Sequence, residues 1–175
     1  RDFDNYYQFF QTLKTWIMEN KLSLEMLNNV SEIEVVYKRK VNVKVSERPL
    51  IRTSKDCYDI LKNYWNEEKI ELVEEFKVLF LNRSNRVLQL MTVSSGGITG
   101  TVADPRIILA AALRLGSCSL VLCHNHPSGS LKPSRADEEL TQKIKYAAQF
   151  HDITVLDHII LTAEQYYSFA DEGLL

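Results

Sequence analysis

The feature that most constrains the fold is the histidine pair in His124-Asn125-His126-Pro127, followed after ten intervening residues by Asp137. The apolar run 117–123 precedes the pair and has the length of a strand. Side chains alternate along a strand, so both imidazoles point to one side and can bind the same ion. Asp137, from the helix that follows, is the expected third ligand, which leaves one tetrahedral position of a zinc ion free for water. This arrangement is typical of catalytic zinc sites and predicts a hydrolase.

Asp137 also has a second interpretation. Ser134-x-x-Asp137 fits a capping box, in which the carboxylate only ties down the first helical turn. The histidine pair favours the metal site, and the positive end of the helix favours the ionised carboxylate that a metal needs. We therefore expect a metal site, although a capping role for the same residues stays open.

Hydrolysis also needs a group that moves protons, and a carboxylate that is not a ligand suits this role. Glu74 and Glu75 begin an expected strand. Glu74 shares a face with Phe76 and Val78, whereas Glu75 lies with Lys77 on the other face. Periodicity does not show which face meets the metal site. The alternative is that both glutamates are solvated charges at the edge of a strand.

Hydrophobic periodicity predicts helices that alternate with strands. Helices are expected over 4–20, 54–65, 107–115 and 134–150, with a short fifth helix from Glu164. Strands are expected over 31–45, as one long strand or a bent pair, and over 74–81, 87–93, 117–123 and 153–161. The turn 82–85 makes a hairpin of two of these strands. The alanine-rich helix over 107–115 is expected to be largely buried. The pattern predicts an α/β fold with a mixed, largely antiparallel sheet flanked by helices.

Composition is that of a globular protein: 175 residues, 45% hydrophobic and 25% charged. We expect an N-terminal helical and strand extension over 1–50 and one domain over 51–175.

The net charge of -2 indicates no overall attraction to nucleic acid. Three cysteines without a CxxC pair suit a reducing compartment, and neither a membrane-spanning run nor a signal peptide is evident, so the cytoplasm is expected. The first residue is Arg1 rather than Met, which leaves open a missing upstream segment.

From about Glu71 to the C-terminus the sequence resembles the RadC-like branch of the JAB/MPN (JAMM) metalloprotease superfamily. The JAMM pattern is a distant Glu, then His-x-His, ten residues and Asp, with a Ser three residues before that Asp. Each element has a counterpart here. The matching segments are VEEFKVLFLNRSNRV, SGG, DPR, HNHPSG, PSRAD and LDHII.

The resemblance implies a JAB/MPN fold of cytidine-deaminase-like architecture and a role for several residues. It implies that Zn2+ is bound by His124, His126 and Asp137. It implies Glu74 as the general base, with Glu75 the less favoured choice, and Ser134 as a hydroxyl that helps to stabilise the oxyanion. Asp157-His158 matches a further family feature, with His158 expected to support the fold or the ligands. No role is assigned to Asn125.

The implied activity is a zinc metalloprotease or isopeptidase that cleaves an amide bond in a peptide or protein, because characterised relatives hydrolyse such bonds, often on ubiquitin-like tails. The alternative is a DNA-repair-associated or scaffold protein whose metal-stabilised JAB domain is not catalytic. The helix-hairpin-helix module usual in the family is not recognisable in residues 1–50. A basic cluster could contact phosphates, but lysines that protect a strand edge give the same pattern. Its members are Lys38, Arg39, Lys40, Lys44 and Arg48. No membrane partner is expected.

Overall fold

A computed structural model describes residues 2–19, 43–96 and 103–175 of the chain. It divides into two units, residues 1–36 and 37–175. The first unit contains helix α1, Asp2–Glu19, which confirms the helix expected there. The strand expected over 31–45 lies mostly outside the described residues, as do Lys38, Arg39 and Lys40. Its last residue, Val45, begins a short 3-10 helix, Val45–Glu47, so this end of the prediction is wrong.

The second unit is built around a five-stranded mixed sheet, which confirms the expected fold class. The strands are β1 (Glu75–Leu81), β2 (Val87–Ser95), β3 (Ser119–Asn125), β4 (Thr154–Leu161) and β5 (Tyr166–Ser168). Their order is β2-β1-β3-β4-β5. Strand β1 is antiparallel to β2 and β3, and β4 is antiparallel to β5. Only β3 and β4 are parallel among these pairs, because a helix connects them and returns the chain to the same end of the sheet.

Helices cover both faces of this sheet. They are α2 (Ser54–Tyr64), α3 (Pro105–Leu115) and α4 (Arg135–Gln149). Buried residues of α3 and α4 pack on one face, against even-numbered positions of β1 and β3 such as Val78 and Leu122. Buried residues of α2 pack on the other face, against odd-numbered positions such as Leu79 and Val121. Strand alternation therefore assigns His124 to the face that α4 covers.

Two expectations about the helices are wrong. Helix α3 is not largely buried, since Ile107 and Leu113 are 53% and 52% exposed and only the stripe through Ile108 and Ala112 is fully buried. A helix that covers one face of a sheet turns a single stripe toward the core, whatever its composition.

The second wrong expectation is the C-terminal helix from Glu164. The chain instead turns at Thr162 and forms β5, which pairs with β4. The Thr162 hydroxyl accepts a hydrogen bond from the Gln165 amide, which helps to hold this turn. The edge of β4 offers backbone hydrogen-bond partners to this segment, and the hydrophobic pattern of the sequence carries no information about them. Within the described residues, no helix is long and apolar enough to cross a membrane.

Candidate metal centre

The two histidines lie where β3 ends. His124 is inside the strand with its Cα opposite that of Phe76, and the imidazole is 1% exposed. His126 follows the strand, and its amide donates to the Leu161 carbonyl, which extends the pairing with β4 by one residue. Both imidazoles therefore point toward α4, as the i, i+2 spacing predicted.

Asp137 approaches both imidazoles from the first turn of α4. Its carboxylate oxygens lie 3.4 Å from His124 Nε2 and 3.7 Å from His126 Nε2. The two Nε2 atoms are 2.9 Å apart. One ligand atom from each of the three residues lies within 4.8 Å of the others. In the described part of the chain, this is the group of His, Cys, Asp or Glu side chains that has the geometry to hold a metal ion.

Hydrogen bonds on the far side of each imidazole determine which nitrogen faces the centre. His126 Nδ1 lies 2.7 Å from the Ser130 carbonyl oxygen, which only accepts, so Nδ1 carries the proton and Nε2 has a free lone pair.

His124 is oriented by a longer chain of hydrogen bonds. The Thr141 hydroxyl donates to the Asp137 carbonyl at 2.5 Å, so its oxygen accepts from His158 Nδ1 at 2.6 Å. His158 Nε2 must then accept from His124 Nδ1 at 2.8 Å. Burial lowers the pKa of His158 well below its usual value, which keeps this ring neutral. These hydrogen bonds leave His124 Nε2 with a lone pair that points to the centre, and they place His158 in contact with His124.

This donor set fits a metal ion. Two nitrogen lone pairs 2.9 Å apart repel each other unless a cation lies between them. Two imidazoles and a carboxylate are a ligand combination that zinc accepts. Without a metal, a proton on His126 relieves this repulsion. The pKa of His126 is raised, chiefly by its hydrogen bond to Asp137. Burial favours a higher pKa for Asp137, but the imidazoles of His124 and His126 beside the carboxylate outweigh burial and hold that pKa well below its usual range.

The capping box is formed as well. Asp137 Oδ2 accepts from the Ser134 amide at 2.7 Å and from the Ser134 hydroxyl at 2.6 Å, and the Asp137 amide donates back to that hydroxyl. Because Oδ2 makes the cap, Oδ1 is free to face His124. The two interpretations of Asp137 are therefore compatible. The hydroxyl of Ser134 is engaged by this box, and its role toward an oxyanion stays a prediction.

The two neighbouring glutamates lie in different surroundings. Glu74 precedes β1 on the face of Phe76 and His124, close enough for its charge to raise the pKa of His126. Glu75 is on the opposite face, where its carboxylate lies 3.0 Å from the Lys77 ammonium in a largely buried ion pair. Of the two, Glu74 is the one whose charge raises the pKa of His126, and its role as the base stays a prediction.

Cys123 adjoins His124 in sequence, but its thiol lies on the opposite face and bonds to the Lys77 carbonyl. Burial raises the pKa of Cys123 well above its usual value, so the thiol stays protonated and is not a ligand.

A cavity of about 330 Å³ opens beside His126. It is lined by the loop that follows the histidines, by the turn after β4 and by Glu71.

The sequence suggested no role for Thr141 or Asn125, and the structure gives both buried contacts, Thr141 at the centre and Asn125 on the opposite face of the sheet. Thr141 follows Asp137 by one helical turn, a spacing that places it on the same side of α4. Asn125 is a polar residue at the end of an otherwise apolar strand, and burial of an amide requires partners. Both signals are visible in the sequence, but neither identifies the partner.

The RadC-like JAB domain family matches residues 51–174. The chain belongs to this family. A UPF0758 protein of Flavobacterium johnsoniae is 48% identical over 124 residues, which are 71% of this chain and 53% of that protein. A UPF0758 protein of Variovorax paradoxus is 47% identical over 102 residues, 58% of this chain and 45% of the relative. The UPF0758 protein YfjY of Escherichia coli is 43% identical over 102 residues, 58% of this chain and 64% of the relative.

The chain spans about half the length of the first two relatives. Their names state no activity. The JAB family together with the His124, His126 and Asp137 group fits a metal-dependent hydrolase. The domain boundary expected at residue 50 stays a prediction.

Proposed function

We propose that this protein is a zinc-dependent hydrolase that cleaves an amide bond in a peptide or protein, as a metalloprotease or isopeptidase. The observation that supports this best is the convergence of His124, His126 and Asp137 with Glu74 on the same face. A partly buried three-ligand group with a separate carboxylate nearby is the combination that metal-assisted hydrolysis requires.

The zinc ion would be held by Nε2 of His124, Nε2 of His126 and Oδ1 of Asp137. When bound, it supplies Lewis acidity and lowers the pKa of water that it coordinates. The remaining chemistry belongs to the side chains of the protein. His158 and Ser130 keep the two Nδ1 atoms engaged, so the imidazoles present lone pairs and do not rotate away.

Glu74 is the proposed general base. Its carboxylate takes one proton from the attacking water and delivers it to the leaving amine as the C–N bond breaks. The products are a carboxylic acid and a free amine, so hydrolysis consumes one water and needs no redox partner. Ser134 is the proposed donor to the developing oxyanion, and its hydroxyl must leave the Asp137 carboxylate to act in this way.

The cavity beside His126 supports a substrate with a side chain next to the scissile bond. Its volume of about 330 Å³ is at the lower end of the range for sites that bind small organic groups. Its walls are mainly polar and include Glu71, Ser128 and Glu164. A polar, partly open cavity of this kind suits an extended peptide better than an apolar small molecule.

The neighbouring glutamates provide a matched test. Zinc-loaded wild type, Glu74→Gln and Glu75→Gln are assayed against quenched peptide libraries and isopeptide-linked peptides, with zinc content measured on the same samples. Glu74→Gln is expected to keep its zinc and lose about 100-fold to 10,000-fold in kcat, since the proton-transfer group is gone. Glu75→Gln is expected to keep its activity but lose about 1–3 kcal/mol of stability, because Lys77 loses its charged partner and keeps the Thr92 hydroxyl and the Trp65 ring.

Normal turnover by Glu74→Gln would contradict the assignment of the base. A wild-type protein that binds zinc but cleaves neither library would favour the alternative of a metal-stabilised scaffold.

A further inference from the structure

Asn125 lies between the two histidines, but its side chain points to the opposite face and is fully buried. Its Oδ1 accepts from the Glu75 amide at 2.7 Å. Its Nδ2 donates to the carbonyls of Ile70 at 2.7 Å and Val73 at 2.9 Å. All three partners are backbone groups of one short segment, residues 70–75. The amide thus uses both of its N–H bonds and its oxygen to hold that segment.

On its other side the segment is supported, among the described residues, only at its end, where β1 pairs with β2 as far as Glu75 and Ser95. Residues 66–74 connect α2 to β1 through turns whose hydrogen bonds are local, such as that from the Ile70 amide to the Asn66 carbonyl. Backbone pairing between β1 and β3 ends at Phe76 and His124. One residue beyond that pair, the Asn125 side chain takes the place of the next backbone partner and binds the Glu75 amide.

Glu74 lies between two of the groups that Asn125 holds, the Val73 carbonyl and the Glu75 amide. A further backbone group of this stretch, the Glu74 carbonyl, accepts from the Gly96 amide at the end of β2. The backbone around Glu74 is therefore fixed relative to β3, the strand that carries His124.

We propose that Asn125 is a positioning residue for Glu74. The inference rests on the proposed function of Glu74 as the general base. The sequence His-Asn-His then does two things: the histidines present ligands on one face of the sheet, and the asparagine holds the base-bearing segment from the other face. Proton transfer requires the base within hydrogen-bond reach, and a displacement of about 1 Å costs about 100-fold in rate.

The matched control is Ser117, which is buried at the other end of β1. Its hydroxyl accepts from the Leu81 amide at 3.2 Å and lies 3.0 Å from the Leu81 carbonyl. Asn125→Ala and Ser117→Ala each remove a buried side chain that holds one end of the same strand. Asn125→Asp is a second variant of the same size, which keeps an acceptor for Glu75 and removes the two donors.

The first measurement is amide hydrogen exchange of the zinc-loaded proteins, which does not depend on activity. In Asn125→Ala the Glu75 amide is expected to exchange faster while the Leu81 amide keeps its protection. In Ser117→Ala the pattern is expected to reverse. An unchanged Glu75 amide in Asn125→Ala would overturn the inference, whatever the enzyme does.

The second measurement is kinetic. Asn125→Ala and Asn125→Asp are expected to lower kcat by about 100-fold, with KM and zinc content unchanged. In the Glu74→Gln background, Asn125→Ala is expected to cause no further loss, because the residue acts through Glu74. An equal loss in both backgrounds, or a loss no larger than that of Ser117→Ala, would refute the positioning role. If the wild type shows no turnover, the proposed function fails, and the exchange data alone decide whether Asn125 holds the segment.

Discussion

Each ligand of the candidate centre has its orientation set by a partner that is not itself a ligand. Ser130 orients His126 through a backbone carbonyl, and His158 orients His124. Thr141 determines which atoms donate and which accept in the hydrogen bonds that run through His158 to His124, because its single proton is donated to the Asp137 carbonyl. Partners of this kind fix the tautomer and the basicity of a metal-binding imidazole.

The Thr141→Val substitution tests this chain. Valine keeps the shape of the side chain but removes the oxygen that accepts from His158, so His158 can adopt the other tautomer and His124 loses its acceptor. Zinc affinity is expected to fall about 10-fold to 100-fold. Competition with a chromogenic chelator measures it. Thr162→Val is the control, because that hydroxyl is also buried but bonds only to Gln165. Equal zinc affinity in Thr141→Val and wild type would contradict the claim that Thr141 orients His124 through His158.

At the scale of elements, the helix ends place the site. Helix α4 begins with the capping box that also aims Asp137 at the histidines. Helix α3 ends at Gly116, whose φ of 62° lies in the left-handed region, and its amide bonds to the carbonyls of Ala112 and Leu113. This turn directs the chain into Ser117 and β3. A stable end to α3 therefore sets where the strand of the histidines begins.

The Gly116→Ala substitution is expected to lower the free energy of unfolding by about 1–2 kcal/mol, the cost of a left-handed conformation for a residue with a Cβ. Packing adds nothing, since a Cβ at this position would have no neighbour within 4 Å. Gly116→Asn is the matched variant and is expected to cost less, because asparagine tolerates this conformation better. Urea unfolding of the three proteins measures the difference. A loss in Gly116→Asn as large as in Gly116→Ala would argue against backbone strain as the cause.

At the scale of the whole molecule, the candidate centre connects α4 to the sheet. His124 lies in β3 and His126 directly follows it, Asp137 lies in α4, and His158 lies in β4. An ion bound by the first three residues would link elements that unfolding separates. Such a ligand binds the folded state and not the unfolded chain, so it stabilises the fold by mass action.

Zinc is expected to raise the free energy of unfolding by about 2.7 kcal/mol at 100 times its Kd. The difference is expected to shrink on acidification, because the ion must displace the proton of His126, whose pKa is raised above 6.5 by Asp137. In zinc-free protein, acidification has the opposite effect and raises the stability. The protonated His126 contributes its full stabilisation below its unfolded pKa, and this is lost as the pH rises through the folded pKa.

Thermal unfolding with zinc and with chelator, at about pH 6 and about pH 8, measures both effects. The control is the double variant His124→Ala/His126→Ala, in which zinc should change nothing. A zinc effect of equal size in that variant, or one that grows on acidification, would show that the ion acts elsewhere.

Much of the fold and the ligand group followed from the sequence, because these features depend on local spacing. The i, i+2 histidines share a face in any strand, and Ser134 and Asp137 have capping-box spacing at any helix start. The α/β class followed from the alternation of periodicities. The roles proposed for Glu74 and Ser134 remain predictions.

Other features depended on contacts between segments far apart in the chain. The opposite surroundings of Glu74 and Glu75 follow from the register of β1 against β3, which turns the even-numbered residues of β1 toward the face that α4 covers. A one-residue shift in register would exchange the two glutamates. The free edge of β4 decided that residues 166–168 form a strand. The partners of Asn125 are some fifty residues earlier in the chain, and His158 reaches both Thr141 and His124 only after β3 and β4 pair in parallel. Local periodicity determines which residues share a face, and only tertiary packing determines which face meets which partner.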